Sequence, residues 1–236
     1  MPTALITGSA KGMGRAMALA LAKDGYDLAI HYLNSKKAAL NTAKEARQYK
    51  IKASIFQADL RNEPEASKLI HDVHKHFGSL EVLINNVGNY HKAKLANLKT
   101  KDWQEMFDSN LNSSFYSCQA ALGIMRKNKF GRIINFGFAG SEYISAKPSI
   151  VAYQIAKTGV IIYSKALAIE EAKHGITVNV ISPGVIETSI SKPLTEIPMQ
   201  RLGSLEEIVA AVKYFLSDAA GYTTGTTLEI AGAWNL

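Results

Sequence analysis

The stretch Thr7-Gly8-Ser9-Ala10-Lys11-Gly12-Met13-Gly14 stands between a short apolar run, residues 4–7, and a helical pattern over residues 15–23. Its glycines allow a tight turn and a close approach of the backbone to a ligand. The helix that follows begins with unpaired N–H groups and the positive end of its dipole, which together favour a phosphate group. This order of strand, glycine-rich turn and helix predicts the first unit of a dinucleotide-binding α/β fold.

Short apolar runs alternate with longer amphipathic segments along the whole chain. Leu28-Ala29-Ile30 and Val82-Leu83-Ile84 are continuously apolar, which is typical of parallel strands covered on both faces. Strands are predicted over residues 4–7, 28–32, 53–57, 82–85, 132–136, 177–181 and 227–230, and helices over 15–23, 36–49, 65–77, 101–125, 151–174 and 205–216. With no linker or repeat, the sequence predicts one doubly wound, Rossmann-like α/β domain over residues 1–236, with its ligand site at the carboxyl edge of the sheet.

Composition narrows the class of protein. The 236 residues are 47% hydrophobic, which is enough for one large core. One cysteine, Cys118, excludes an internal disulfide and favours a reducing compartment. The sequence shows neither a signal peptide nor an apolar run of membrane-spanning length, so we expect a cytoplasmic protein with no membrane partner. The net charge of +7 favours anionic partners. The charges are spread along the chain and form no basic arm, which argues against a nucleic-acid partner. The sequence also lacks the residue spacing of a zinc site, so no metal is expected.

Further motifs follow the glycine turn in a fixed order. They are Ala58-Asp59-Leu60, Asn85-Asn86-Val87-Gly88, Asn110, Tyr153 with Lys157, and Pro183-Gly184. With the TGxxxGxG turn, they resemble the short-chain dehydrogenase/reductase family over the whole chain. Gly131-Arg132-Ile133-Ile134 and Gly175-Ile176-Thr177-Val178-Asn179 resemble its bacterial 3-oxoacyl-(acyl-carrier-protein) reductases in particular.

The resemblance implies a nicotinamide cofactor, and the turn after the second strand indicates which one. NAD enzymes usually place an acidic residue there for the ribose 2′-hydroxyl. The segment His31-Tyr32-Leu33-Asn34-Ser35-Lys36-Lys37 contains no carboxylate. Lys11, which resembles the basic residue of NADP-dependent members, could bind a 2′-phosphate together with Asn34 and Ser35. The sequence therefore predicts NADP(H).

Other cofactor contacts are implied by the resemblance. It places Asp59 and Leu60 beside the adenine, although Asp59 could also cap the next helix. It places Ile186 and Thr188 at the nicotinamide carboxamide. The whole predicted set is Gly8, Ser9, Lys11, Gly12, Met13, Gly14, Asn34, Ser35, Asp59, Leu60, Asn86, Gly88, Tyr153, Lys157, Pro183, Gly184, Ile186 and Thr188.

Tyr153 and Lys157 are four residues apart in a helical pattern, so both project from one face. A phenol is a weak acid-base catalyst at neutral pH, and a neighbouring ammonium together with the oxidised nicotinamide would lower its pKa. The resemblance implies that Tyr153 protonates the carbonyl oxygen while Lys157 holds the nicotinamide ribose. It also implies that Asn110 bends its helix and holds a water leading to Lys157. An ordinary surface Tyr/Lys pair and a surface Asn are the alternatives.

The family's catalytic serine is missing, because alignment puts Phe138 at its position. Phenylalanine cannot donate a hydrogen bond to a carbonyl oxygen. The following loop is about two residues longer than usual, so Ser141 is the first candidate for a replacement hydroxyl, with Ser145 and Tyr143 behind it. The substrate lid, residues 189–200, is also shorter than is usual in the family.

The leading functional hypothesis is NADPH-dependent reduction of a ketone, with a 3-oxoacyl thioester on acyl carrier protein as the best substrate. Lys129, Lys173 and His174 lie near positions where such reductases use basic residues, and the carrier is acidic. One alternative is a pterin or quinone reductase, because pteridine reductases also lack the usual serine. Another is a non-catalytic NADP(H)-binding redox sensor. The resemblance further implies a homotetramer.

Overall fold

Seven parallel strands form one sheet in the computed structural model, which describes residues 1–235. The strands are β1 Thr3–Ile6, β2 Asp27–Tyr32, β3 Ala53–Gln57, β4 Val82–Asn85, β5 Gly131–Phe136, β6 Ile176–Pro183 and β7 Thr227–Ile230. Their order across the sheet is β3-β2-β1-β4-β5-β6-β7. The direction of winding reverses between β1 and β4, and a crevice opens outside the carboxyl ends of strands at such a point.

Helices cover both faces of the sheet, as the continuously apolar strands require. Residues 1–235 contain α1 Gly12–Lys23, α2 Lys36–Ala46, α3 Glu63–Phe77, α4 Thr100–Phe107, α5 Ser113–Asn128, α6 Val151–Glu171 and α7 Leu205–Leu216. One core joins the sheet to α1, α2 and α7 through side chains such as Met17 and Phe215. The other joins it to α3, α5 and α6 through side chains such as Leu69 and Met125. The predicted doubly wound fold is confirmed.

The predicted boundaries differ from the structure chiefly at helices. The single helix predicted over residues 101–125 is wrong, because a π-helical turn, Asp108–Asn112, separates α4 from α5. The side-chain amide of Asn110 donates to the Met106 carbonyl oxygen there, 3.0 Å away, so a side chain competes with the backbone for the helical acceptor. The helices predicted over 36–49 and 151–174 both end in short 3₁₀ turns. Within the described part of the chain, no helix is both long enough and apolar enough to cross a membrane.

Candidate active site

The glycine turn lies between β1 and α1 with an open helix start beside it. Gly8 has a φ of +65°, which favours glycine. A side chain at Gly14 would collide with the Gly8 carbonyl oxygen and would stand 2.8 Å from the Asn86 side-chain amide. Lys11 precedes the helix without capping it, and the first turn of α1 contains no acidic residue. The first N–H groups of α1 are therefore free to meet an anion such as a pyrophosphate.

His31 holds this turn to the sheet, a role that the sequence analysis missed. The Gly8 N–H donates to His31 Nδ1 at 2.9 Å, and His31 Nε2 lies 3.1 Å from the Ala58 carbonyl oxygen. Burial lowers the pKa of His31 to about 4, so the ring is neutral at pH 7 and Nε2 carries the donated proton. A polar residue inside an otherwise apolar buried strand was the only signal for it in the sequence.

Ser9 also serves the turn itself. Its hydroxyl donates to the Ile6 carbonyl oxygen at 2.7 Å and accepts from the His31 N–H at 3.1 Å. The residue is fully buried. The Ser9 N–H also donates to the His31 carbonyl oxygen at 3.0 Å, so the hydroxyl and the N–H of Ser9 are both already engaged within the protein, and its contact with the cofactor stays a prediction.

The region predicted to bind a 2′-phosphate is exposed and free of carboxylates. Lys11 and Asn34 are exposed, and Ser35 precedes α2 without capping it. The first turn of α2 has no acidic residue. Thr42 on α2 donates to the Ala10 carbonyl oxygen at 3.1 Å, which holds that helix against the glycine turn. This region therefore presents exposed cationic and polar side chains with no acidic residue in the first turn of α1 or α2.

Asp59 does not cap α3, so the alternative interpretation of Asp59 as the cap of the next helix is wrong. The capping residue is Asn62, whose side chain accepts from the Glu65 N–H at 3.1 Å. Asp59 instead accepts two hydrogen bonds from the Arg61 guanidinium, and these lower the pKa of its carboxyl group. Leu60 is buried in the core below.

A cleft of about 670 Å³ opens at the carboxyl ends of the central strands. It brings together one half of the predicted site residues: Met13, Asn86, Gly88, Asn110, Tyr153, Lys157, Pro183, Gly184, Ile186 and Thr188. The residues predicted for the adenine half of the cofactor lie outside this cleft, around the glycine turn and the ends of β2 and β3. This arrangement suits a dinucleotide that is bound across the point between β1 and β4 where the direction of winding reverses, with its nicotinamide end in the cleft.

Tyr153 and Lys157 project from α6 into this cleft. The Lys157 ammonium nitrogen lies 5.8 Å from the centre of the Tyr153 ring and donates to the Phe136 carbonyl oxygen at 2.8 Å. Burial lowers the pKa of Lys157 to about 8. Burial first and the nearby Tyr90 second raise the pKa of Tyr153. In the cofactor-free chain the cost of burying a phenolate therefore dominates, and the lowering of the Tyr153 pKa that the oxidised nicotinamide would cause stays a prediction.

Asn110 occupies the π-helical turn and is fully buried. Its side-chain N–H groups donate to the carbonyl oxygens of Asn89 and Met106 at 2.9 and 3.0 Å. Its oxygen Oδ1 is buried without a hydrogen-bond partner. A side chain added at Gly88 would collide with this oxygen and would stand 3.4 Å from the Lys157 ammonium. The surface alternative for Asn110 is excluded, and its oxygen and the Lys157 ammonium both lie beside Gly88.

The structure does not bring Ser141 to the cleft. The residue is fully buried, and its hydroxyl donates to the Phe138 carbonyl oxygen and accepts from the Phe138 N–H at 3.2 Å. Ser145 and Tyr143 are exposed and also lie outside the cleft lining. Phe138 itself lines the cleft, with its ring 5.5 Å from that of Tyr153. An aromatic wall stands where the family places a hydroxyl.

Three further residues line the cleft that the sequence analysis missed. The Tyr90 ring meets the edge of Tyr153 at 5.1 Å, and the Trp234 ring meets that of Phe138 at 5.7 Å. Lys147 is the third of these residues in the lining of the cleft. All three belong to loops or to the end of the chain, where no periodic pattern marks a buried face.

The donor set of this site fits a dinucleotide. Among residues 1–235, no group of three histidine, cysteine, aspartate or glutamate side chains is close enough to hold a metal ion. The free helix start, the close approach at Gly14 and the unpaired Asn110 oxygen are features that a nicotinamide dinucleotide and its associated water could occupy.

Known proteins share this architecture. The family model described as "Enoyl-(Acyl carrier protein) reductase" matches residues 8–234. The 3-oxoacyl-[acyl-carrier-protein] reductase of Staphylococcus aureus is 34% identical over 241 residues, which cover 98% of this chain and 96% of the relative. Glucose 1-dehydrogenase 2 of Bacillus subtilis is 33% identical over 246 residues, with 99% and 95% covered. The crystal structure of acetoin dehydrogenase from Salmonella typhimurium is 32% identical, has a TM-score of 0.92, and is matched over 99% of this chain and 95% of that one. This chain belongs to the short-chain dehydrogenase/reductase family, whose members are oxidoreductases of alcohol and ketone groups.

Proposed function

We propose that the protein reduces a ketone to an alcohol with NADPH, and that Tyr153 donates the proton. The observation that carries this proposal is the convergence of Tyr153, Lys157 and Asn110 in one cleft beside a carboxylate-free cofactor region. When bound, NADPH supplies a hydride to the carbonyl carbon. The raised pKa of Tyr153 keeps its phenol protonated, which is the form that can donate to the developing alkoxide.

Lys157 and Asn110 support that proton transfer. The Lys157 ammonium lies 5.8 Å from the centre of the Tyr153 ring and is held by the Phe136 carbonyl oxygen, and Asn110 Oδ1 lies with it beside Gly88. With a pKa of about 8, the Lys157 ammonium can return a proton to the phenol near neutral pH. The glycine turn and α1 hold the pyrophosphate, while Ile186 and Thr188 border the nicotinamide end of the cleft.

The choice of NADP(H) is tested by comparing the two cofactors. We expect NADPH to bind at least about tenfold more tightly than NADH, a difference of about 1.4 kcal/mol. Lys11→Ala should shrink this difference, because it removes an exposed cation that would pair with the 2′-phosphate, which NADPH carries and NADH lacks. Lys23→Ala, at the far end of the same helix, is the control and should keep it. Fluorescence titration with both cofactors makes the measurement, and equal affinities for the unchanged protein would contradict the assignment.

The substrate is proposed first to be a 3-oxoacyl thioester, which the name of the Staphylococcus aureus relative supports. Lys129 and the turn containing Lys173 and His174 come together, since a side chain at Gly175 would collide with the Lys129 carbonyl oxygen. These residues precede the amino ends of β5 and β6, whereas the cleft lies at the carboxyl edge. A carrier protein docked on them would therefore lie at the end of the sheet opposite the cleft of the same chain.

We also propose that the protein forms a homotetramer, because apolar side chains are exposed on α6 and α5. Its proposed location is the cytoplasm. Ile155, Ile162 and Ile169 repeat every seven residues along α6 and are 43%, 66% and 83% exposed. Phe115 on α5 is 40% exposed, and its ring lies 5.5 Å from that of Tyr163. An apolar stripe of this kind is typical of a surface that is covered by another protein. Light scattering of the purified protein measures its mass directly.

The second candidate is reduction of a flat ring system such as a pterin or a quinone. It is favoured by the wall of Phe138 and Trp234, because aromatic faces stack well on flat ligands. NADPH oxidation with an acetoacetyl thioester, a diketone, a dihydropterin and a quinone separates the two candidates. Cofactor binding without turnover of any of them would instead favour the redox sensor.

Phe138→Ser tests how the missing hydroxyl is compensated. If the aromatic wall serves a particular substrate, the variant should lose activity on flat substrates and gain about tenfold on small 3-oxoacyl thioesters, since one well-placed donor is worth 10²–10³-fold. Steady-state kinetics on both substrate types makes the comparison. Improvement on every substrate alike would show a general defect in carbonyl activation. A loss of about 10²-fold in Ser141→Ala would instead assign the donor to that buried hydroxyl.

A further inference from the structure

Lys147 places a positive charge in the wall of the cleft. Its ammonium nitrogen lies 5.5 Å from the centre of the Phe138 ring and 5.1 Å from that of Trp234, and it donates to the side-chain oxygen of Asn235. No carboxylate of residues 1–235 lies within 4 Å of it. Partial burial lowers the pKa of Lys147, while the more distant Glu196 raises it. The described residues thus leave this ammonium without an ionic partner.

The position of Lys147 is fixed from two sides. Its backbone N–H donates to the Gln154 side-chain oxygen at 3.0 Å, which ties the loop to α6 next to Tyr153. Asn235 donates to the Ala139 carbonyl oxygen at 3.3 Å, which ties the end of the chain to the loop after β5. A cation held in this way loses little further freedom when an anion binds.

We propose that Lys147 binds a carboxylate of the substrate, so that the substrates of this cleft are keto acids whose apolar body packs on Phe138 and Trp234. This proposal rests on the proposed ketone reduction. Lys147 and Tyr153 both lie near the Phe138 ring, whose centre is 5.5 Å from the Lys147 ammonium nitrogen and 5.5 Å from the centre of the Tyr153 ring. The carboxylate must therefore stand a few bonds from the carbonyl group.

On this proposal a free keto acid takes the place of the 3-oxoacyl thioester named above, because a carrier-bound thioester matches the cationic wall poorly. A thioester carries no charged group near its ketone, and the phosphate of the carrier arm lies many bonds away. Lys92 and Lys157, which also line the cleft, add two further cations, whereas Glu196 is the one acidic side chain in the lining among the described residues. Charge complementarity thus favours an anion close to the reacting carbon.

The test compares a keto acid with its own methyl ester. We expect the unchanged protein to prefer benzoylformate over methyl benzoylformate by at least about tenfold in kcat/KM, because the ester has the same ring and ketone without the charge. Lys147→Met should abolish that preference, mainly by raising KM for the acid, and Lys147→Arg should restore part of it. Lys94→Met, an exposed lysine outside the cleft lining, is the matched control and should keep the preference.

A binding measurement separates this proposal from the reduction itself. Calorimetry with benzoate and with methyl benzoate, in the presence of NADP⁺, reads the anion site without any turnover. Benzoate binding that is lost in Lys147→Met would uphold the anion site even if no ketone were reduced. Reduction of ketones with equal kcat/KM for acid and ester in the unchanged protein would overturn the anion site and leave the reductase standing. Lys147→Gln serves as the neutral variant if the methionine variant fails to fold.

Discussion

Replacing Tyr153 with phenylalanine is expected to lower kcat by about 10³-fold or more on any substrate that the protein reduces, because the variant lacks the proton donor. NADPH affinity should change little, since the ring keeps its contacts with Tyr90 and Phe138, at 5.1 and 5.5 Å. Single-turnover oxidation of NADPH and a separate cofactor titration measure the two quantities.

The matched control for that experiment is Tyr163→Phe. Tyr163 lies on the same helix, but its hydroxyl accepts from the Gln119 side chain at 3.2 Å outside the cleft lining. Its loss should leave kcat within about twofold. If Tyr153→Phe kept most of its kcat, another acid would have to protonate the product, and Tyr90 is the phenol that the cleft then offers.

Lys157→Met should reduce both turnover and cofactor affinity, each by about tenfold or more, because the ammonium supports the phenol and borders the nicotinamide end of the cleft. The exposed Lys165, which pairs with Glu142 on the same helix, provides the control variant Lys165→Met. Loss of turnover with unchanged NADPH affinity would contradict the second of the two roles.

Stability at pH 7 should not follow the loss of activity in Lys157→Met. The pKa of Lys157 falls from its usual 10.5 to about 8 in the fold, so below pH 8 the folded state bears a cost of roughly 3 kcal/mol for burying the charge. Lys157→Met removes that cost and loses one hydrogen bond to Phe136, which is worth about 1–3 kcal/mol. The variant should therefore be about as stable as the unchanged protein at pH 7.

The same shift predicts a pH dependence with a definite sign. Between about pH 8 and 10.5 the unfolded chain holds a proton on Lys157 that the folded chain has released. The unfolding free energy of the unchanged protein should therefore rise with pH relative to that of Lys157→Met over this interval. Denaturant unfolding at pH 7, 9 and 10.5 checks it, and a relative fall would contradict the assigned pKa.

The sequence by itself determined the fold and the centre of the site. The glycine turn after β1 and the continuously apolar strands permit few arrangements, since a parallel sheet must be covered on both faces by right-handed crossovers. β3, β4, β7 and α7 have the predicted boundaries. The convergence of Tyr153 and Lys157 followed from helical spacing alone. These are local signals, readable from neighbours along the chain.

Only the tertiary structure decided what surrounds that centre. Lys147 and Trp234 are far apart in the chain, and they meet over Phe138 because the end of the chain packs against the loop after β5. Ser141 was assigned to the cleft by its distance along the sequence, but its hydroxyl turns back to the Phe138 backbone. His31 on β2 likewise joins distant parts of the chain, because its two ring nitrogens contact the glycine turn and the carbonyl oxygen of Ala58 after β3. Each of these contacts is made by side chains that no periodicity relates, so their direction became fixed only when the chain was folded.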